Sequence, residues 1–154
     1  MKRIICTLFT TIALLCTDSA IADASAAKQH CVITVGDVDI NGYYVIESTI
    51  CYSTYQQAQS SVSIQSFTLG VHYDGTNGTG SSTSVVGDDC NGGGLNVSAA
   101  WNDRISSTRN GCGKIVHYEH INYGGATYST TGAGALINIG GSMNNKTSSI
   151  KYSS

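Results

Sequence analysis

The stretch HYEHINYGG, residues 117–125, places two histidines, a glutamate and two tyrosines within nine positions. His117, Glu119 and His120 are side chains of the kind that ligate metals or exchange protons. Their spacing works against both roles. On a strand, His117 and His120 point to opposite faces, so joint ligation needs a turn between them. Surface or packing roles are the expectation. No Gly-x-Ser-x-Gly occurs, so a Ser-His-Asp triad has no nucleophile turn. Glu47, Asp74 and Glu119 are the right types for a glycosidase pair, but nothing in their spacing brings them together. DDCNGGGLN at 88–96 is glycine-rich without a following helix signal, which argues against a phosphate loop. It reads as a flexible loop tied by Cys90.

HYEHINYGG has a counterpart. HYDGTNGTG at 72–80 aligns with it at an offset of 45, matching Asp74 to Glu119, Asn77 to Asn122 and Gly80 to Gly125. NDRISS at 102–107 aligns with NNKTSS at 144–149 at an offset of 42. The chain therefore contains two units of about forty residues. Each opens with His-Tyr-acid, reaches a glycine, and ends on Asn-Asx-x-x-Ser-Ser.

The elements that position these motifs read as β-structure. The chain has 18 Gly, no Pro and nine Tyr, with few charges and no long amphipathic helix pattern. Phe67, Leu69, Val71 and Tyr73 alternate with Thr68, Gly70 and His72. Val116 and Tyr118 alternate with Ile115 and His117, and the pattern returns at Ala135, Ile137 and Ile139 and at Ile150 and Tyr152. Gly and Asn clusters separate the runs. Short alternating strands with frequent turns predict a sandwich, each unit being a four-stranded Greek key. A short helix is expected at residues 54–59, capped by Ser53. Trp101, the sole Trp, is expected in the core.

The first 22 residues read as an export signal: Lys2 and Arg3, an apolar run from Ile4 to Leu15, then Ala20-Ile21-Ala22. Cleavage is expected after Ala22, with Ala24 as the alternative. The apolar run is too short to span a bilayer. Losing Lys2, Arg3 and Asp18 takes the formal charge from −2 to −3. No basic patch marks a nucleic-acid partner, and no membrane attachment is expected after cleavage. The product is expected to be secreted, extracellular or periplasmic. Cys6 and Cys16 leave with the signal. Cys31, Cys51, Cys90 and Cys112 remain, an even set that suggests two disulfides. The sequential pairing, Cys31–Cys51 and Cys90–Cys112, closes the shortest loops. No Cys-x-x-Cys supports zinc. Asn77, Asn96 and Asn145 match the glycan acceptor pattern, but no modification is expected on what looks like a bacterial export product.

YEHINYGG followed by NNKTSS resembles the βγ-crystallin Greek-key signature: an aromatic, four residues, a second aromatic, one residue, then Gly. Tyr118, Tyr123 and Gly125 fill it. Tyr73 and Gly80 fill it in the first unit, where Gly78 replaces the second aromatic and leaves that hairpin less well anchored. The resemblance covers about residues 65–154 and implies an all-β sandwich of two Greek keys, about 65–110 and 111–154, in a domain spanning 61–154. Residues 23–60 stand outside it as an N-terminal extension with a short helix. Similar small exported microbial members include some classed with secreted metalloproteinase inhibitors or killer toxins.

The resemblance also implies chemistry. In calcium-binding members the closing Asn/Asp-Asn/Asp-x-x-Ser/Thr-Ser segment is a calcium clamp, and calcium takes six to eight oxygens. Each clamp gives a carbonyl from its third residue and a hydroxyl from its fifth, completed by the acidic position of the other unit. Carried over, site one is Asn102, Asp103, Arg104 and Ser106 with Glu119. Site two is Asn144, Asn145, Lys146 and Ser148 with Asp74. Arg104 and Lys146 would face outward. Site one, with Asp103 and Glu119, has the greater negative charge and is expected to bind more tightly. The same Asn, Asp and Ser also build turns without any metal. The implied function is a secreted, non-enzymatic calcium-binding protein. The alternative is an inhibitor of a secreted protease, or a toxin-like binder of another extracellular protein, using loop 81–96 and the extension 23–60.

Overall fold

The computed structural model describes residues 27–64 and 66–154. The expected signal, its cleavage point, Cys6 and Cys16 lie outside the described residues. The chain runs β1 (His30–Val38), β2 (Tyr44–Tyr52), α1 (Tyr55–Ser60), β3 (Phe67–Tyr73), β4 (Ser82–Gly87), β5 (Asn91–Asn96), β6 (Ser107–Asn110), β7 (Lys114–His120), β8 (Gly124–Thr131), β9 (Leu136–Asn138) and β10 (Ser149–Ser153).

Two sheets face each other. One has the order β2-β1-β4-β3-β6-β9, the other β5-β10-β7-β8. The order shows two Greek keys that exchange one strand each. Strands β3 to β6 form the first key, but β5 leaves it to pair with β10 in the opposite sheet. Strands β7 to β10 form the second, and β9 crosses back to pair with β6. The exchange joins the two units into one sandwich rather than two side by side.

The alternation expected from the sequence holds only in part: a register shift between Thr68 and Gly70 leaves residues 69–73 of β3 all buried, and Phe67 is exposed. Leu69, Ile115, Ile150 and Tyr152 are fully buried, with Val85, Leu95, Ile105, Trp101 and Met143 packed around them. Burying such side chains stabilises the fold by about 1.5–3 kcal/mol each. Trp101 thus sits in the core, 6% exposed.

Residues 30–60 do more than extend the domain. β1 pairs in parallel with β4 from His30–Ser82 to Thr34–Val86, and β2 pairs antiparallel with β1 at the sheet edge. The helix is displaced by one residue from its expected span. Thr54 is its N-cap and accepts from the Gln57 N–H at 3.2 Å. Ser53 instead donates its hydroxyl to the Gln57 side chain. Ala58 of the helix packs with Val32 and Val86 on the outer face of the large sheet.

One expectation is overturned. The stretch 81–96, expected as a flexible contact loop, is mostly the strands β4 and β5, and all of β4 is buried. Gly93 and Gly94 of β5 stand where neighbours crowd the backbone. A Cβ on Gly94 would lie 2.2 Å from the Ile150 carbonyl oxygen, and one on Gly93 would lie 2.7 Å from the Tyr44 ring.

The four cysteines pair in sequence, Cys31–Cys51 and Cys90–Cys112. Two disulfides fit an oxidising environment. Among the described residues no helix is long and apolar enough to cross a membrane.

Candidate functional site

The two hairpins that follow β3 and β7 are built alike. After β7, the Asn122 N–H donates to the Asn96 side chain and the Tyr123 N–H to the Ser149 hydroxyl. After β3, the Asn77 N–H donates to the Asn138 side chain and the Gly78 N–H to the Ser107 hydroxyl. The serine that closes each repeat then donates its own hydroxyl to a hairpin carbonyl, Ser107 to Gly75 at 2.6 Å and Ser149 to His120 at 2.7 Å. The final Ser of NDRISS and of NNKTSS is thus the staple of its own unit's hairpin.

Positive φ is needed at the signature glycines, Gly80 at 84° and Gly125 at 76°. Space is short there as well. A Cβ on Gly80 would lie 2.0 Å from the Asp74 carboxylate, and one on Gly125 would lie 2.8 Å from the His120 ring. The aromatic lacking at Gly78 is compensated from outside the repeat. Tyr55 of α1 lies 6.2 Å from the Tyr73 ring, and the two hydroxyls hydrogen-bond at 3.2 Å. In the second hairpin Tyr123 lies 5.4 Å from Tyr118 and stacks on Tyr43 at 4.8 Å. Burial and the neighbouring Tyr73 raise the Tyr55 phenol above its ordinary range.

The two clamps meet head to head. The Asp103 N–H donates to the Thr147 carbonyl at 3.2 Å, and the Asn145 N–H donates to the Ile105 carbonyl at 3.1 Å. Both residues are left-handed, Asp103 at φ 57° and Asn145 at 56°. Such a conformation suits Asp and Asn better than other L-residues. The Ser106 hydroxyl crosses between the clamps to the Asn145 side-chain oxygen at 2.8 Å. Each clamp is also tied to a hairpin strand: the Ser106 N–H donates to the Tyr73 carbonyl, and the Ser148 N–H to the Tyr118 carbonyl.

These bonds correct the expected grouping of acids. Asp74 follows Tyr73 and therefore stands by the clamp of Ser106, where Arg104 contacts its carboxylate at 2.6 Å. Glu119 follows Tyr118 and stands by the clamp of Ser148, with Lys146 at 3.8 Å. Each acid thus lies beside the clamp of its own unit. The residues that cross are Asp103 and Asn145. Arg104 and Lys146 are exposed at the surface and reach the acids from there. Arg104 further donates to the Ala100 carbonyl and lies 5.3 Å from the Trp101 ring centroid. Opposite charge and the flat guanidinium account for this. The carboxylates also receive a hairpin N–H, Asp74 from Ser81 and Glu119 from Ala126.

In clamp two, the Asn144 side-chain oxygen and the Thr147 hydroxyl are buried without a hydrogen-bond partner. Such groups are costly to leave unpaired. Among the described residues no three His, Cys, Asp or Glu side chains gather around a point where a metal could sit. The oxygens at the clamps come from Asn, Ser and the backbone, the hard donors that suit calcium.

The histidines separate. His120 is exposed at the hairpin, whereas His117 is fully buried. His117 lies 5.6 Å from His72, which the alternation had placed opposite the apolar face of β3 and which is also fully buried. His72 holds the Thr108 hydroxyl at 2.9 Å and the Tyr152 hydroxyl at 2.8 Å, bridging the two sheets. Burial drives both imidazoles down, His117 to about 3, with His117 adding to the effect on His72. The sequence repeat His-Tyr-acid was the available signal for this buried pair.

No family model matches the chain, and no curated protein matches it in sequence. Among solved structures, it is similar to a βγ-crystallin domain from Clostridium beijerinckii: 25% identity over 56% of this chain and 99% of that one, TM-score 0.44. A double mutant of that domain gives 27% identity over 55% and 97%, TM-score 0.43. A βγ-crystallin from an archaeon gives 24% identity over 54% and 94%, TM-score 0.42.

Proposed function

We propose that this chain is an exported, non-enzymatic βγ-crystallin-type protein that binds calcium where its two clamps meet. The observation that carries this reading is the reciprocal crossing of the clamps. The N–H groups of two left-handed Asx residues, Asp103 and Asn145, each donate into the other clamp, to the Thr147 and Ile105 carbonyls, and the Ser106 hydroxyl reaches Asn145.

On this reading the clamp oxygens group into two centres. The first combines the Ser106 hydroxyl, the Arg104 carbonyl, Asp74 and Asn145. The second combines the Ser148 hydroxyl, the Lys146 carbonyl, Glu119 and Asp103. Because the carboxylates of Asp74 and Glu119 already serve the hairpin and a neighbouring cation, a backbone carbonyl is the oxygen these positions have to offer. The second centre has Asp103 where the first has Asn145, one more anionic side chain, so the second binds more tightly. Its unpartnered Asn144 and Thr147 oxygens also lie in the clamp concerned.

On this reading the ion joins the clamp and hairpin of one Greek key to the Asx residue contributed by the clamp of the other. It stabilises the native state by mass action. Calorimetric calcium titration with thermal melts tests this. Saturable binding with a rising melting temperature supports it, and an unchanged melting temperature in millimolar calcium overturns it.

A further inference from the structure

The large sheet has six strands and the facing sheet has four, and the edge strand β2 is left partly uncovered, with Ile46 more than half exposed. Beside it lies a cleft of about 830 Å³, within the size range of small-molecule sites. One wall is the Cys31–Cys51 disulfide with Ile33 and Ile46, and the opposite wall is Leu95 and Trp101. Their polarity is graded. The register of β1 runs from Cys31, paired with Cys51, to Val35, paired with Ile46. That is four residues, or about 13 Å of strand. Lys28, Asp74 and Arg104 line the Cys31 end. Asp74 is already satisfied by Arg104 and the Ser81 N–H, so the surplus charge at that end is positive.

We propose that this cleft binds an amphiphile with an extended apolar chain and an anionic head, of the fatty-acid type. The chain lies along Ile33 and Ile46 towards the open end, against Leu95 and Trp101. The carboxylate sits between the Lys28 ammonium and the remaining donors of Arg104. Ile33 and Val35 of β1 are buried in the core, but Ile46 and Thr49 of β2 remain exposed on the same face, and an acyl chain supplies their cover. The Thr83 hydroxyl, buried in the cleft wall without a protein partner, is one more group in need of one. The inference does not rest on calcium binding.

Trp101 is the sole Trp, so its fluorescence reports occupancy directly. The purified protein, in chelator, is titrated with decanoate below its micelle-forming concentration. Decyltrimethylammonium and acetate serve as probes of the chain alone and the head alone. A saturable Trp101 response to decanoate is expected, about tenfold weaker or more for the cation and absent for acetate. Ile46→Glu, on the exposed rim, should weaken decanoate binding by about tenfold or more. Ile50→Glu is an equally exposed change on the other face of β2 and should leave it unchanged. Lys28→Glu should weaken it about threefold. Absence of a saturable response to decanoate overturns the proposal. Equal responses to both heads, or equal effects of Ile46→Glu and Ile50→Glu, overturn it too.

Discussion

The Ser106 hydroxyl donates to the side-chain oxygen of Asn145, 39 residues further along the chain, at 2.8 Å. This one bond shows which parts of the two repeats cooperate. It joins the fifth residue of one clamp to the second residue of the other. The acids, by contrast, stay with their own unit.

The first prediction follows from that grouping. Ser148→Ala removes a hydroxyl from the centre with Glu119 and Asp103. It should lower the tighter calcium affinity by about tenfold. Ser106→Ala should leave that affinity nearly intact and act on the weaker centre. Calorimetry of both variants decides. A larger loss for Ser106→Ala would restore the grouping of Ser106 with Glu119.

A second prediction concerns Arg104. Its contact with Asp74 is at the surface, so Arg104→Ala should cost no more than about 1 kcal/mol in calcium-free unfolding. It should also raise calcium affinity at the weaker centre, because a competing cation is removed from beside Asp74. If titration shows the weaker centre unchanged or weakened, Asp74 is not part of it.

The sequence made some of this legible and hid the rest for identifiable reasons. Strand β10 buries the alternating Ile150 and Tyr152, and the two repeats announce the two Greek keys, whereas β3 buries residues 69–73 without alternation and β7 buries Ile115 with His117. The edge strand β2 was not recognised, because both its faces are partly open. Val45, Ile46 and Ile50 are each more than half exposed, so no inward and outward pattern separates them. In the sequence, β4 and β5 read as a loop. Ser82, Thr83 and Ser84 are buried there, and glycines stand where Ile150 and Tyr44 crowd the backbone. Which clamp each acid lies beside depends on backbone hydrogen bonds from Ser106 to Tyr73 and from Ser148 to Tyr118. Residue types carry no trace of such bonds.

The hairpin glycines give a third prediction. Gly80→Ala forces a Cβ to 2.0 Å from Asp74 at φ 84°. Gly125→Ala meets the more yielding His120 ring at 2.8 Å. Both should destabilise by more than about 1 kcal/mol from backbone strain. Gly80→Ala should be the worse, because the carboxylate it displaces also holds Ser81 and Arg104. Chemical denaturation of the two variants, read as midpoint shifts, checks the order.

The disulfides give a fourth. Cys51 is exposed on the edge strand, while Cys112 is 1% exposed in the core. Mild reductant should therefore open Cys31–Cys51 first, leaving Cys90–Cys112 intact until the sandwich unfolds. Alkylation followed by peptide mass analysis should find label on Cys31 and Cys51 alone at early times. Simultaneous labelling of all four would show that the two bridges open with the whole fold.

The last prediction concerns acid. His72 and His117 are fully buried and held neutral in the folded chain, His117 down to about 3. In the unfolded chain both are free to protonate near pH 6.5. Between these limits the unfolded state binds more protons than the native state, so stability rises with pH and falls as pH is lowered. The loss should begin near pH 6.5 and grow towards pH 3. Between pH 6.5 and 5 most carboxylates stay ionised, so the histidines dominate the slope. His117→Leu removes one titrating group at similar volume, and removes the Nδ1 that has no partner. It should flatten the slope in that window while His72 keeps its bonds to Thr108 and Tyr152. Melting temperatures measured across the window for both proteins test this. An unchanged slope in the variant would mean that His117 is already protonated in the folded chain or reaches water there.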